Sequence, residues 1–344
     1  MSGTLVIQPL PGIGDMVWHL PHLEAIARTS PDQTITVLTK RRSRADELFD
    51  GSSFVRRVLW LERAQSGEPP RRHDGAFGGW RLASDLRTHG FDTVWILHDS
   101  ARYALAAQLA GIPNRIGYGT GRQRWHLSDH RILDRGGRHR PTVEKATSLL
   151  TLHDIQIDPT PHYLPAPTAV ERVAASFGTL PRPWIGLGIG SSEPFKQWGA
   201  DRFAELTVRL RQATGATVFA IGGPSERAMV EAIRAVDGAE IVPALGLPLG
   251  EAAALAGACD AVIGNDTGLL NLAASTDATT IGLFGGSLPL TQYSNLTAIQ
   301  PAGGTEYRVN RMVEIAVDLV FEITMHTMMI KRSDSDDRMT ADCS

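Results

Sequence analysis

Residues 4–27 read TLVIQPLPGIGDMVWHLPHLEAIA, and the reading of this stretch decides the fold. Thr4–Gln8 is a short apolar run of strand type. Met16–Ala27 places Val17, Leu20, Leu23 and Ile26 near one face of a helix. Between them lies a turn with Gly12 and Gly14, a residue type that tolerates positive φ and lets another molecule approach the backbone. Asp15 falls at the predicted helix start, where a carboxylate is a good cap. It can be that cap and nothing else, or a reactive group on the floor of a binding site; a glycine turn from strand to helix does not decide between them.

The same alternation continues along the chain. Strand-like runs follow at Ile35–Thr39, Val55–Trp60 and Thr93–Leu97, then at Ile185–Gly190, Thr217–Ile221, Ile241–Pro243, Ala261–Gly264 and Thr279–Phe284. Amphipathic segments such as Ala200–Ala213, Ser225–Val236 and Leu249–Ala258 separate the later ones. This pattern predicts βαβ units and parallel sheets with helices on both faces. The proline-rich DPTPHYLPAPTAV, residues 158–170, reads as a stiff linker. Two doubly wound α/β domains are therefore expected, 1–165 and 166–310, with strand ends facing across a cleft where such sheets bind ligands. A late helix over 311–330 carries Glu314, Asp318, Glu322 and His326 as one polar stripe on an apolar rod, so most of its surface must be covered. The polar tail 331–344 is expected to be disordered.

Composition narrows the class. Of 344 residues, 42% are apolar and 21% charged, as in an ordinary globular protein. No run approaches the ~20 apolar residues of a membrane span, and no secretory leader is read at the start. Two cysteines, Cys259 and Cys343, give neither a disulfide framework nor a zinc spacing, which fits a reducing cytoplasm. Residues 1–165 carry 21 Lys+Arg against 17 Asp+Glu, and ten of the eleven histidines; the remainder carries 13 against 20. The basic first half suits an anionic partner, such as a phosphorylated glycolipid or a membrane surface, or simply solubilises a domain. Without a basic helical stripe interleaved with aromatics, nucleic acid is excluded as a partner.

Two further loops carry candidate chemistry. After the strand ending at Gly190 come Ser191, Ser192 and then Lys196-Gln-Trp198 before a helix; Lys196 is the only lysine between 146 and 330 and is placed to clamp a phosphate or to be a plain surface charge. After the strand Ala261–Gly264, Asn265-Asp266-Thr267-Gly268 turns into a helix, whose first N–H groups, at Thr267 and Gly268, suit an anion such as a diphosphate. The same residues are also ordinary turn formers. Gly222-Gly223 forms a third turn of the same kind.

Taken together, these stretches resemble glycosyltransferase family 9, the ADP-heptose:lipopolysaccharide heptosyltransferases. The matching features are Gly14-Asp15 with Pro21, Lys196-Gln-Trp198, Asp266-Thr267-Gly268, and a strand ending Phe284-Gly285. The segment 91–118, with its Arg115-Ile-Gly117, is also similar. The likeness spans roughly residues 4–325. The chain departs from the pattern at Asn271, where the family has histidine, and at Gly286-Ser287, where it tends to Pro-Thr.

The resemblance implies a GT-B fold, with the late helix crossing back to the first domain, and a bacterial, cytoplasmic enzyme of lipopolysaccharide biosynthesis. It implies inverting transfer of a heptose from a nucleotide-sugar donor, ADP-heptose, to a hydroxyl of an anionic glycolipid. Asp15 would be the general base and Lys196 would stabilise the leaving diphosphate. Gly190, Ser191, Ser192, Lys196, Gly222, Gly223, Asp266, Thr267, Gly268 and Asn271 would line the donor site; Gly12, Gly14, Arg102 and Arg115 the acceptor site. Neither a metal nor another cofactor is expected, and contact with the inner face of the cytoplasmic membrane is compatible with this reading. A soluble small-molecule acceptor, a nucleotide-sugar epimerase and a non-catalytic GT-B protein remain alternatives. A dehydrogenase is disfavoured, because no Gly-x-Gly-x-x-Gly follows the first strand.

Overall fold

The computed structural model describes residues 3–64, 67–134, 136–191 and 193–341. The chain forms two compact units, Met1–Pro161 and His162–Ser344, a division four residues earlier than the proline pattern suggests. The linker explains the shift: Tyr163 is buried and its N–H bonds to the Ser275 carbonyl at 2.7 Å, so the chain already belongs to the second unit there. Pro167 opens a helix, Pro167–Phe177, as proline does at a first turn.

The first unit is a five-stranded parallel sheet: β1 (Thr4–Ile7), β2 (Ile35–Thr39), β3 (Val55–Trp60), β4 (Thr93–Ile96) and β5 (Asn114–Gly117), in the order β3-β2-β1-β4-β5. β1 and β2 are buried throughout, as apolar runs in a sheet covered on both faces must be. The single helix expected after β1 is two, Ile13–Trp18 and Leu20–Thr29, interrupted at His19. Pro21 accounts for the interruption, since it has no N–H to give the preceding turn.

The second unit holds six parallel strands: β6 (Trp184–Gly188), β7 (Thr217–Gly222), β8 (Val242–Leu245), β9 (Ala261–Asn265), β10 (Thr280–Leu283) and β11 (Leu296–Ile299). Their order, β11-β10-β9-β6-β7-β8, is that of a dinucleotide-binding Rossmann sheet, with the switch point between β6 and β9. Alternate residues feed two cores: Ile185, Leu187 and Val218 on one face, Trp184, Phe219 and Val262 on the other.

The late helix runs Val317–Ala341, packing against the helix Ala200–Thr214 and β9. Val317, Val320 and Met328 enter the core of the second unit, while Glu314, Asp318, Glu322 and His326 stay exposed. The tail read as disordered is helical as far as Ala341. Among the described residues no helix is long and apolar enough to cross a membrane.

Candidate functional site

In the first unit, Asp15 lies beyond the C-terminal end of β1, as the third residue of the helix Ile13–Trp18 rather than its cap. Its Oδ2 accepts the Gly12 N–H at 3.0 Å. Gly12 has φ −83°, open to any residue, so conformation is not why it is glycine. A Cβ there would stand 2.7 Å from Asp15 Oδ2 and push the carboxylate away. Gly14 lies in the same first turn. Burial raises the proton affinity of Asp15; the Gly12 N–H, Arg42 and Lys40 oppose this without cancelling it, so its pKa sits above the ordinary carboxylate value.

The neighbouring strand ends supply cations that the sequence did not single out. Lys40 follows β2 and is half-buried; burial and the repulsion of Arg63 lower its pKa. Arg63 follows β3 and binds Asp74 at 3.2 Å. Two backbone N–H groups, of Ala64 and Arg71, with Arg63 adding to them, hold Asp74 down at about 2. Arg102 is half-buried nearby, its Nη1 donating to the His73 carbonyl at 3.4 Å. Arg115 does not join this group. It is the second residue of β5, towards the opposite end of the sheet, and its Nε and Nη1 are spent on the carbonyls of His126, Ile112 and Pro113 at 2.6–2.9 Å.

In the second unit, the loops after β6 and β9 meet at the switch point. Gly188 and Gly264 pair in register, and a Cβ on Gly264 would lie 3.0 Å from the Gly188 carbonyl oxygen. Buried Asn265 ties the two loops: its Nδ2 donates to Ile189, Gly190 and Gln197, and its Oδ1 accepts the Trp198 N–H at 3.2 Å. Trp198 anchors the segment in the core through its Nε1 bond to Ile315, 3.0 Å. Lys196 is thereby held over the crevice, its Nζ 2.9 Å from Asp266 and 3.1 Å from Glu193. Burial lowers its pKa, but the two carboxylates outweigh that and keep the ammonium charged.

Gly190, Gly222 and Gly223 surround a carboxylate that the sequence reading overlooked. A Cβ on any of them would lie within 3.1–3.3 Å of the Glu226 side chain, whose Oε2 accepts the Gly223 N–H at 2.7 Å. The signal available was an acidic residue just beyond the second strand of a Rossmann unit. Ser191 is engaged within its own loop, with Glu193, and Ser192 lies outside the described residues. Thr267 and Gly268 open the helix Gly268–Ala274 as expected. Asn271 is buried, its amide donating to the Thr267 carbonyl at 2.9 Å and its oxygen accepting from Tyr293 Oη at 3.3 Å. The other departure has a packing cause, because a Cβ on Gly286 would sit 2.6 Å from the Phe195 carbonyl, beside Lys196. Among the described residues no group of three His, Cys, Asp or Glu is placed to hold a metal.

The model of glycosyltransferase family 9 (heptosyltransferase) matches residues 79–298. The chain belongs to glycosyltransferase family 9. The family match covers the Lys196 and Asp266 loops and begins after the Asp15 turn. The chain is 29% identical over 226 residues to lipopolysaccharide heptosyltransferase 2 of Salmonella typhimurium and, to the same extent, to that of Escherichia coli; each match spans 61% of this chain and 64% of the relative. Among solved structures, the E. coli ADP-heptose lipopolysaccharide heptosyltransferase II superposes with a TM-score of 0.75 at 23% identity, over 96% of this chain and 99% of that one. A family 9 glycosyltransferase from Veillonella parvula gives 0.76 at 20%, over 95% and 97%. The two Rossmann-like units of this family 9 protein are a GT-B fold.

Proposed function

We propose that this family 9 protein is an inverting heptosyltransferase, moving heptose from ADP-heptose to a hydroxyl of a lipopolysaccharide-core-like acceptor. The observation that carries the reading is Lys196, a half-buried ammonium held between Asp266 and Glu193 at the switch point of the second sheet. Dinucleotide-type sheets bind phosphates at that point. The names of the relatives, lipopolysaccharide heptosyltransferase 2 and ADP-heptose heptosyltransferase II, supply the sugar, nucleotide and acceptor class.

Asp15 takes the proton of the acceptor hydroxyl as its oxygen attacks the anomeric carbon from the face opposite the diphosphate. The bond to the diphosphate breaks, ADP leaves, and the configuration inverts. A base whose pKa is raised towards neutrality is a better proton acceptor in the transition state. Lys196 and the N–H groups at Thr267–Gly268 offset the charge that grows on the leaving diphosphate. Glu226 accepts the ribose hydroxyls, the role of an acidic residue beyond the second strand. Lys40, Arg63 and Arg102 receive the anionic groups of the acceptor, in place of Arg115. No divalent metal is required.

Contact with an anionic membrane surface belongs to the same proposal. Phe77, Trp80 and Trp125 are 71%, 64% and 64% exposed, and exposed Arg81, Arg122 and Arg124 accompany them. Both segments flank the start of the helix Ala101–Leu109: Arg102 bonds to His73, and Gln123 to the His98 and Ser100 carbonyls. Aromatic rings with flanking arginines suit a headgroup region.

The test is incubation with ADP-heptose and heptose-less lipopolysaccharide core, in EDTA. Release of ADP with a matching mass gain on the acceptor is expected. ADP release without acceptor modification would move the reading to an isomerase or hydrolase, and a strict need for Mg²⁺ would refute the metal-free scheme.

A further inference from the structure

The first helix stops in an unusual way. In an uninterrupted helix the Asp15 carbonyl would accept the His19 N–H, four residues on. Here that N–H turns to the Met16 carbonyl at 3.0 Å, so the Asp15 carbonyl loses its helical donor. The His19 ring takes the place: Nδ1 lies 2.6 Å from that carbonyl, and the Gln8 side-chain nitrogen lies 3.4 Å from it. Gln8 immediately follows β1, and both Gln8 and His19 are fully buried. Burial also keeps the imidazole neutral, so it carries a single N–H. A carbonyl can only accept, which puts that proton on Nδ1. The Asp15 residue is thus gripped twice, at its carboxylate by the Gly12 N–H and at its carbonyl by His19.

We infer that His19 is a positioning residue that sets the orientation of Asp15. The inference rests on Asp15 being the base. Without the ring, the carbonyl would keep only the long 3.4 Å bond from the Gln8 amide, and the chain relieves that under-satisfied acceptor by restoring the helical bond and rotating the Asp15 turn. His22 has no such part. Its ring is 5.6 Å from that of His19, and its Nε2 bonds instead to Thr147 Oγ1 at 2.9 Å, tying the second helix to the helix Thr142–Leu152.

The test compares His19→Leu, His19→Asn and His19→Gln, with His22→Leu as a burial control, in transfer from ADP-heptose to heptose-less core. Asparagine places its amide nitrogen where imidazole has Nδ1; glutamine reaches the Nε2 position. His19→Leu is expected to lower kcat roughly 10–100-fold, the scale of a base displaced by up to about an ångström, with KM for both substrates nearly unchanged. His19→Asn should recover most of the loss and His19→Gln should not, while His22→Leu loses stability with kcat per folded molecule retained. In the wild-type protein, ¹⁵N NMR of His19 should report the Nδ1–H tautomer, a readout that needs no variant to fold. An Nε2–H tautomer, equal rescue by glutamine, or an equal kcat loss in His22→Leu would each overturn the inference. Normal transfer by Asp15→Asn would sink the reading of the base itself, whereas an inactive Asp15→Asn beside a fully active His19→Leu would sink only the positioning.

Discussion

Replacing Gly12 by alanine separates the catalytic reading of Asp15 from the capping one. Gly12 sits at φ −83° and ψ 152°, which alanine adopts without strain. The change should therefore gain about 0.4–1 kcal/mol from a less flexible unfolded chain. The added methyl would lie 2.7 Å from Asp15 Oδ2, and relief requires the carboxylate to withdraw until the contact is at least 3.4 Å. That move weakens the 3.0 Å bond from the Gly12 N–H, a loss of about 0.5–1.5 kcal/mol. The two effects nearly cancel, so urea unfolding should give a midpoint close to that of the wild type. Transfer is different. A base displaced by a large part of an ångström loses roughly 10–100-fold in rate, and saturating initial-rate assays with ADP-heptose should show it. Unchanged stability with unchanged kcat would refute the reasoning, since Asp15 would then tolerate displacement.

Lys196→Ala should weaken ADP binding by ~10–100-fold, because Asp266 and Glu193 then face the diphosphate without their cation; calorimetric titration with an unchanged Kd would contradict this. Gly286→Ala should cost about 1–3 kcal/mol, since its Cβ meets the Phe195 carbonyl at 2.6 Å, and a thermal midpoint equal to the wild type would count against the packing described. Burial lowers the pKa of His19 to about 4 and that of His22, where the His19 ring adds to the effect, to about 3, against 6.5 in a free chain. Between those values the unfolded chain binds more protons than the folded one, so stability should fall as pH drops from 6.5 towards 4. Urea midpoints that stay flat across that window would show that the two rings are not buried and neutral.

The βαβ alternation was legible because the central strands are continuous apolar runs, as at Leu5–Ile7 and Ile35–Thr39. The strands that escaped notice, Asn114–Gly117 and Leu296–Ile299, are four-residue edges of their sheets with partly exposed residues, and carry no such run. Within the site, Asp15, Lys196, Asp266 and Thr267 could be found because each sits in a short strand-to-helix turn of recognisable composition. Lys40 and Arg63 could not be tied to them, since only the strand order β3-β2-β1 brings the ends of β2 and β3 to the side of β1; Glu226 did offer a signal, as an acidic residue just beyond β7, but only the pairing of β7 with β6 sets it beside Gly190. Arg115 misled for the converse reason: proximity in sequence to a family-like segment says nothing about which end of the sheet a side chain occupies. The break at His19 was hidden by apolar spacing that fits one helix as well as two, although Pro21 marked it.

Asp15→Asn is the most direct test of the base. The amide keeps the carboxylate's size and can accept from the Gly12 N–H through its oxygen, so the cost to stability should be on the order of 1 kcal/mol or less. ADP affinity should be close to that of the wild type, since the diphosphate is assigned to Lys196 and the Thr267–Gly268 turn, and Asp15 to the acceptor hydroxyl. Transfer from ADP-heptose should nonetheless fall at least ~100-fold, because an amide cannot take the hydroxyl proton at neutral pH. Near-normal turnover by this variant would return Asp15 to a structural role and leave the reaction without its base.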